Sequence, residues 1–519
     1  MKHYIYFLIT FACLSFTLSS CSDFGDVNVD PENITGSSMD FRLLFTGVEV
    51  GISGTEWEVW RNGMIYSSTM MQHCASTQSY WNGDKYTYNA GYNSAYWDRY
   101  TSTGRNLFEV LNAWKEDETR INEYSMARIL KIMLFHRMTD MYGDIPYSEA
   151  GQGYISNLFY PKYDRQEDIY ADMLNELKEA AGALDASRAN YIGGADLIYK
   201  GDALKWKKFA YSLMVRLAMR LSKVNPDQAK TWVNAAITGG IFQSNADNAI
   251  IRHNYTSDDS SDAWGKIATH SDPSAYRMSQ TFIEHLKNTS DPRLIYIATV
   301  CENPAPSWSM PSFQIGDTTY TKQLGMPNGY DELGGATDIS NAPNWPGNMN
   351  NYSVINRYTY GRLDAPTFLI TYAQINLLLA EAAHRGWISL NEESCYVTAV
   401  TSAMEQFKEY GVAGFSQEQI DNYLAANPYN AAKALEQINT QYWVVAFIDE
   451  YEVFANWRRS GYPNLTPVNY FANVTNGTIP RRFTYPESEA TANPDNYTEA
   501  VSRFSDGDKM TSRVWWDKQ

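Results

Sequence analysis

The segment Asn122–Met141 constrains this chain more than any other. Met126, Ile129, Leu130, Ile132, Met133, Leu134, Phe135, Met138 and Met141 cover most of the circumference of the helix they predict. A helix apolar on nearly every side is buried in a large core, not laid on a surface. Gly143 supplies the left-handed residue that closes such a helix, and Pro146 three positions on blocks its resumption. Asp144 is expected to hydrogen-bond its own backbone and fix the turn. Taken by themselves, these residues describe a buried helix with a glycine stop.

Helices are also predicted near 39–52, 55–73, 95–116, 166–184, 202–222 and 227–238. Ile169, Met173, Leu177, Ala180 and Leu184 recur at a helical period, and Leu204, Phe209, Leu213, Leu217 and Leu221 form the expected partner stripe. A second block follows at Thr367–Arg385, Glu392–Tyr410, Gln417–Ala426 and Ala431–Arg459. Amphipathic helices paired in two separated blocks predict a mainly α fold of tetratricopeptide-like stacked helix pairs, although no 34-residue consensus is legible. The helical blocks are placed at 37–241 and 367–460. Between them, residues 242–366 are rich in Pro, Gly, Asn, Ser and aromatics, with one short helix near Ser274–Lys287. Asn303-Pro-Ala-Pro-Ser-Trp-Ser-Met-Pro311 is no helix interior. An insertion of that length is usually functional. Residues 461–519 are again loop-like, and the two loop-rich regions are expected to pack together as one subdomain.

The beginning of the chain reads as a leader. Lys2 precedes an apolar run, Tyr4–Leu18, that is short for a membrane span. Leu18-Ser-Ser-Cys21 resembles a bacterial lipobox. It predicts removal of residues 1–20 and acylation of Cys21, the alternative being an ordinary signal peptide cut near Ser20. Several acyl chains on one cysteine make a stable membrane anchor. Residues 21–36 then form a polar, lipidated tether. Cys74, Cys301 and Cys395 show no metal-ligand spacing and are expected to be buried free thiols.

Tyr142-Gly-Asp-Ile-Pro-Tyr147, set at the end of an apolar helix, resembles the signature of SusD-like (SusD/RagB) outer-membrane nutrient-binding lipoproteins. Many of these carry a Glu-Gly-x-Arg-x-x-Asp-Leu-x-Arg pattern near the C-terminus. Here Glu450 and Arg459 fit it, while Tyr451, Val453, Asn456 and Trp457 replace its Gly, Arg, Asp and Leu. The forms Trp457-Arg-Arg-Ser-Gly-Tyr-Pro463, Ile479-Pro-Arg-Arg-Phe-Thr-Tyr-Pro486 and Val514-Trp-Trp-Asp517 are similar to a divergent SusD-like branch. The resemblance implies four helix-pair repeats and a lipid-anchored position on the outer face of the outer membrane. It also implies a SusC-like TonB-dependent transporter as partner.

A formal charge of −17 excludes nucleic acid as a partner, since phosphate binding needs a basic stripe. Seven histidines offer no HExxH motif or close pair, and His73, His136, His285 and His384 read as packed or surface residues. No GxSxG or Walker A sequence occurs, and no catalytic residue, metal site or cofactor is expected. An acidic pair of the glycosidase kind is not excluded by sequence. Asp449, Glu450 and Glu452, however, run into Arg458 and Arg459 on one helix and read as solvated, salt-bridged residues. Ser257-Asp-Asp-Ser-Ser-Asp262 has oxygen ligands for calcium but lacks EF-hand spacing, so a plain acidic loop is the alternative.

The chain holds 38 Tyr and 15 Trp, many outside the helical runs. Sugar rings stack their C–H faces on aromatic rings, while their hydroxyls need Asn, Asp, Gln or Arg. Rigid Tyr and Trp also lose little entropy on binding. The candidate ligand-binding residues are therefore Tyr80, Trp81 and Tyr86 in one stretch and Trp308, Tyr320, Trp345 and Tyr352 in the insertion. With the resemblance, they point to a non-catalytic surface protein that captures oligosaccharide or peptide for the transporter. A secreted glycan- or peptide-acting hydrolase and a purely structural surface protein are the alternatives.

Overall fold

A computed structural model describes residues 39–153, 155–256, 261–302, 316–343 and 345–518. The leader, Cys21, the tether and Trp308 lie outside the described residues. Residues 1–41 form one unit and 42–519 another, and the fold below is that of the second.

The scaffold helices are α1 (Phe41–Ser53), α2 (Thr103–Trp114), α3 (Ile121–Tyr142), α4 (Gln166–Ala183), α5 (Ala203–Arg220) and α6 (Pro226–Gly239), followed after the insertion by α8 to α12. Within the insertion lies α7 (Gln280–Asn288). The second block comprises α8 (Tyr372–His384), α9 (Glu392–Glu405), α10 (Gln417–Ala426), α11 (Ala434–Val445) and α12 (Glu450–Ser460). Each of α2 to α5 packs on the next. The blocks join where α8 lies on α5; α8 also packs on α9 and α11, and α12 returns from α11 to α3. This is the expected mainly α array of stacked helix pairs. Side-chain caps mark the starts. Asp202 takes two backbone N–H groups of α5, and Thr371 forms a capping box with Gln374 on α8.

Eight short strands, β1 (Cys74–Ala75), β2 (Ile145–Pro146), β3 (Tyr163–Asp164), β4 (Ala249–Ile251), β5 (Arg277–Met278), β6 (Ala298–Val300), β7 (Ser353–Ile355) and β8 (Thr367–Ile370), form four antiparallel pairs. The pairs are β1–β5, β2–β3, β4–β8 and β6–β7. The β8 strand corrects the helix expected from Thr367. Pro366 and the β-branched Thr367 and Ile370 favour extended backbone, and Ile250 and Ile251 supply the pairing edge. The helix expected at 55–73 is a single α-turn, Glu56–Glu58, running into a π-helix, Val59–Ser68. The one expected at 95–116 is a 3₁₀ turn, Trp97–Tyr100, followed by α2.

The long helix expected at 431–459 is broken at Ala446–Asp449, where Ile448 takes φ +81. The break turns α12 back into the core, and every residue from Glu450 to Arg459 is buried. Glu450, Glu452 and Arg459 are paired, as expected, but buried and not solvated, while Arg458 meets backbone carbonyls instead of a carboxylate. Glu452 lies 2.6 Å from Arg220 and 3.5 Å from Arg216, both on α5, and accepts from the Tyr442 hydroxyl at 2.8 Å. Arg220 also pairs with Asp140 of α3 at 3.2 Å. Arg459 grips both oxygens of Glu381 on α8 at 2.7 Å. Arg137 of α3 pairs with Asp449 at 3.0 Å, and His73 Nδ1 meets Glu450 at 2.9 Å. Arg458 donates to the carbonyls of Asp140 and Arg481, and burial pulls its pKa down to about 9.

The end of α3 follows the sequence more closely. Gly143 sits at φ +88 and ψ −123, a glycine conformation but not the left-handed helical one expected, and its N–H closes on the Thr139 carbonyl at 2.8 Å. Asp144 departs from expectation: its Oδ1 accepts from the Gln166 N–H at 2.7 Å, and Arg503 holds its other oxygen. The carboxylate thus ties two elements instead of its own turn. The C-terminal tail also divides, rather than packing wholly on the insertion. Tyr470 and Val468 meet Asp331 and Gly329 of the insertion. Phe483, Arg482 and Tyr485 instead hydrogen-bond the backbone of Met141, Tyr142 and Asp144, and Trp516 donates to Asp140 at 3.0 Å. The insertion closes a small core around Met326, Ile339 and Tyr352 on Ala75 of β1. Among the described residues Cys74, Cys301 and Cys395 form no disulfide, and all three are buried.

Burial raises the cost of ionising Glu452 and Glu381, but Arg216 and Arg220 hold the first, and Arg459 and Arg385 the second, at about 2. Each contributes its full stabilisation above its ordinary value near 4.5. That contribution is lost as pH falls through about 2. Glu452→Gln is expected to lose about 3–5 kcal/mol, because Arg216 and Arg220 lose the carboxylate they share in the core and Asp140 alone still faces Arg220. It should also flatten part of the acid limb of thermal stability against pH. An unchanged melting profile would contradict this role.

Candidate functional site

The π-helix presents one aromatic face. Trp57, Trp60 and Arg61 are spaced i, i+3, i+4 and so share a side. The π-turn is set by what lies beneath it. Asn62 donates to the carbonyls of Tyr92 and Asn93 at 2.8 and 3.4 Å. At Gly63, a Cβ would stand 2.5 Å from the Trp264 ring. Such π-turns inside helices recur at functional sites.

Above this floor the rings converge. Trp60 lies 6.1 Å from Tyr80 and 5.9 Å from Tyr92 by ring centroids. The Arg61 guanidinium sits 3.1 Å from the Trp57 centroid, 4.6 Å from Trp60 and 5.5 Å from Tyr92, a geometry that adds cation–π attraction. Tyr92 stands on the short helix Ala90–Asn93, capped by Asn89.

Asp272 fastens the group. Its Oδ2 accepts from Trp60 Nε1 at 2.9 Å and from Trp81 Nε1 at 2.6 Å, and its Oδ1 accepts from the Tyr80 hydroxyl at 3.0 Å. Burial, and then the Asp272 charge, push the Tyr80 hydroxyl up, keeping it a donor. Burial lowers Arg61 and raises Asp98, the latter opposed by a hydrogen bond from Trp57. Trp57 is 55 % exposed and Tyr80 38 %. The result is a group of packed rings, exposed at Trp57 and Tyr80 and bordered by a guanidinium and carboxylates. Such a surface can stack apolar ring faces and hydrogen-bond hydroxyls.

The sequence-derived candidates fall into different places. Tyr80 belongs to the platform. Trp81 lies under it, fully buried, its ring stacked on Tyr276 at 5.8 Å. Tyr86 is buried in a left-handed turn, and its hydroxyl accepts from the Val468 N–H. Tyr320 donates to the Leu286 carbonyl at the end of α7. Trp345 and Tyr352 stand 5.9 Å apart in the core of the insertion, where Tyr352 is buried. Trp57, Trp60, Arg61 and Asp272 were not among those candidates. The two tryptophans in Trp57-Glu-Val-Trp60-Arg61 were the available signal, and nothing in sequence marks Asp272.

Among the described residues no group of three His, Cys, Asp or Glu can hold a metal ion. Of the acidic loop, residues 257–260 lie outside the described residues. Asp262 caps the helical turn after it through the Gly265 N–H at 2.7 Å.

A SusD-like family model, described as starch-binding and associating with the outer membrane, matches residues 33–486. The chain belongs to the SusD-like family. Solved structures agree. A chitin-binding protein is 32 % identical, with TM-score 0.81 over 92 % of this chain and 100 % of its own. A SusD-like protein of Bacteroidetes AC2a is 28 % identical, with TM-score 0.78 over 93 % of this chain and all of its own. A chitin-binding SusD homologue from Flavobacterium johnsoniae, 24 % identical, shares the fold with TM-score 0.74 over 92 % of this chain and 99 % of its own. No curated protein matches the chain. The family description and the names of these relatives speak of binding and name no reaction.

Replacing Asp272 by Leu leaves three aromatic donors without their acceptor. We expect a loss of about 1–3 kcal/mol, together with altered near-UV circular dichroism from the loosened tryptophans. An unchanged spectrum and melting point would show that Asp272 does not lock the platform.

Proposed function

We propose that this SusD-like protein is a cell-surface lipoprotein that binds oligosaccharide and passes it to a SusC-like TonB-dependent transporter. The observation that carries the proposal is the aromatic platform of Trp57, Trp60, Tyr80 and Tyr92, exposed at Trp57 and Tyr80, with Arg61 against its rings and Asp272 hydrogen-bonded to Trp60 and Tyr80. Its rings are held before any ligand arrives, so little conformational freedom is lost on binding. A saccharide fits it better than a peptide does, because the open surface is ring faces bordered by hydroxyl-seeking polar groups.

Membership of a family described as starch-binding and associating with the outer membrane supports the ligand class and the setting. The relative named as chitin-binding supports the same ligand class. Anchoring would come from acylation of Cys21 in Leu18-Ser-Ser-Cys21. The stacked helices offer the broad face on which a transporter would rest. No cofactor or calcium ion enters this reading.

The test is isothermal titration with malto- and chito-oligosaccharides. Trp57→Ala and Tyr80→Ala are each expected to weaken binding about tenfold or more, as truncation of a ring at a binding centre does. Trp57 projects from the surface, so the melting point of Trp57→Ala should stay near that of the unaltered protein. Equal affinity in both variants would remove the platform as the site. Release of cleaved product would overturn the binding role.

A further inference from the structure

A second opening, of about 820 Å³, lies between the start of α4 and residues 503–518 of the tail. Its chemistry differs from that of the platform. Five cationic side chains line it against four carboxylates, in a protein whose formal charge is −17. Two of the carboxylates and three of the cations are already engaged with one another. Asp144 is held by Arg503, and Asp517 is shared between Arg481 at 2.8 Å and Arg513 at 2.7 Å.

Lys223 stands beside this group, donating to the Lys518 carbonyl at 3.1 Å. Burial lowers the pKa of Lys223, Asp517 opposes this, and Arg481, Arg459 and Arg513 lower it further. Arg165, exposed at the cap of α4, makes no ion pair among the described residues. Its planar fork suits a carboxylate or sulfate. Trp515, half-buried, and Phe504 form an apolar wall of the same opening.

We infer that this cleft holds an anionic sugar residue, its uronate carboxylate or sulfate ester against Arg165 and Arg513 and its ring face on Trp515. The inference rests on the oligosaccharide reading above but uses a separate set of residues. A free inorganic anion would satisfy the guanidiniums and leave the Trp515 wall unused. Its volume is within the range of small-ligand sites.

Titration calorimetry with tri-galacturonate, a sulfated disaccharide, a neutral galactotriose and inorganic phosphate tests this. The two acidic sugars should bind the unaltered protein, more weakly as salt is raised. Arg165→Gln should lose about tenfold or more of that affinity, the effect of removing a charge-assisted contact. Binding of the acidic sugars but not galactotriose in Trp57→Ala supports the cleft even if the platform reading fails. Which acidic sugar is retained tells carboxylate from sulfate. Equal affinity in Arg165→Gln would overturn the inference. So would phosphate binding as tightly as the sugars, or acidic-sugar binding lost in Trp57→Ala and kept in Arg165→Gln.

Discussion

The structure depends on a chain of buried charges that joins helices distant in sequence. Glu452 of α12 faces Arg216 and Arg220 of α5, Arg220 reaches Asp140 of α3, and Arg459 of α12 holds Glu381 of α8. Charges out of water are costly and are tolerated only when each finds its partner. Apolar packing would accept several arrangements of these helices. Paired charges accept far fewer, and this specificity is what we ascribe to the network. The same network reaches the surface loops. His73, paired with Glu450, adjoins β1 and the stretch that carries Tyr80 and Trp81. The tail fixes Trp516 to Asp140 and Tyr485 to the turn after α3.

On that frame the platform is a local construction. It requires a π-turn, a glycine under a tryptophan ring and one aspartate reached from across the insertion. These features place open rings where a ligand can meet them while the helices beneath stay closed. Binding and scaffolding are thus separated between two sets of residues. In this chain Tyr451, Val453, Asn456 and Trp457, which depart from the family's C-terminal pattern, are all buried scaffold residues.

Much of the scaffold was legible because apolar periodicity reports burial. The stripe of α4 and the apolar girth of α3 are where the residues put them, and Gly143 ends α3 as its φ requires. The interior of α12 was not legible. Glu450, Glu452, Arg458 and Arg459 look solvated until their partners are known. The Arg220–Glu452 and Arg459–Glu381 contacts span 232 and 78 positions. The β8 strand likewise depends on Ala249–Ile251, far upstream. At the site, aromatic content pointed to the right stretch but not to the right rings. Tyr80 is open while Trp81 beside it is buried, because the Asp272 that orders them comes from another loop.

The division between frame and platform is tested most directly by hydrogen exchange with and without a saturating oligosaccharide. We predict new protection in residues 56–68, 78–98 and 270–276, with α3, α5, α8 and α12 unchanged. Protection spread through those helices, or absent from the platform segments, would contradict it.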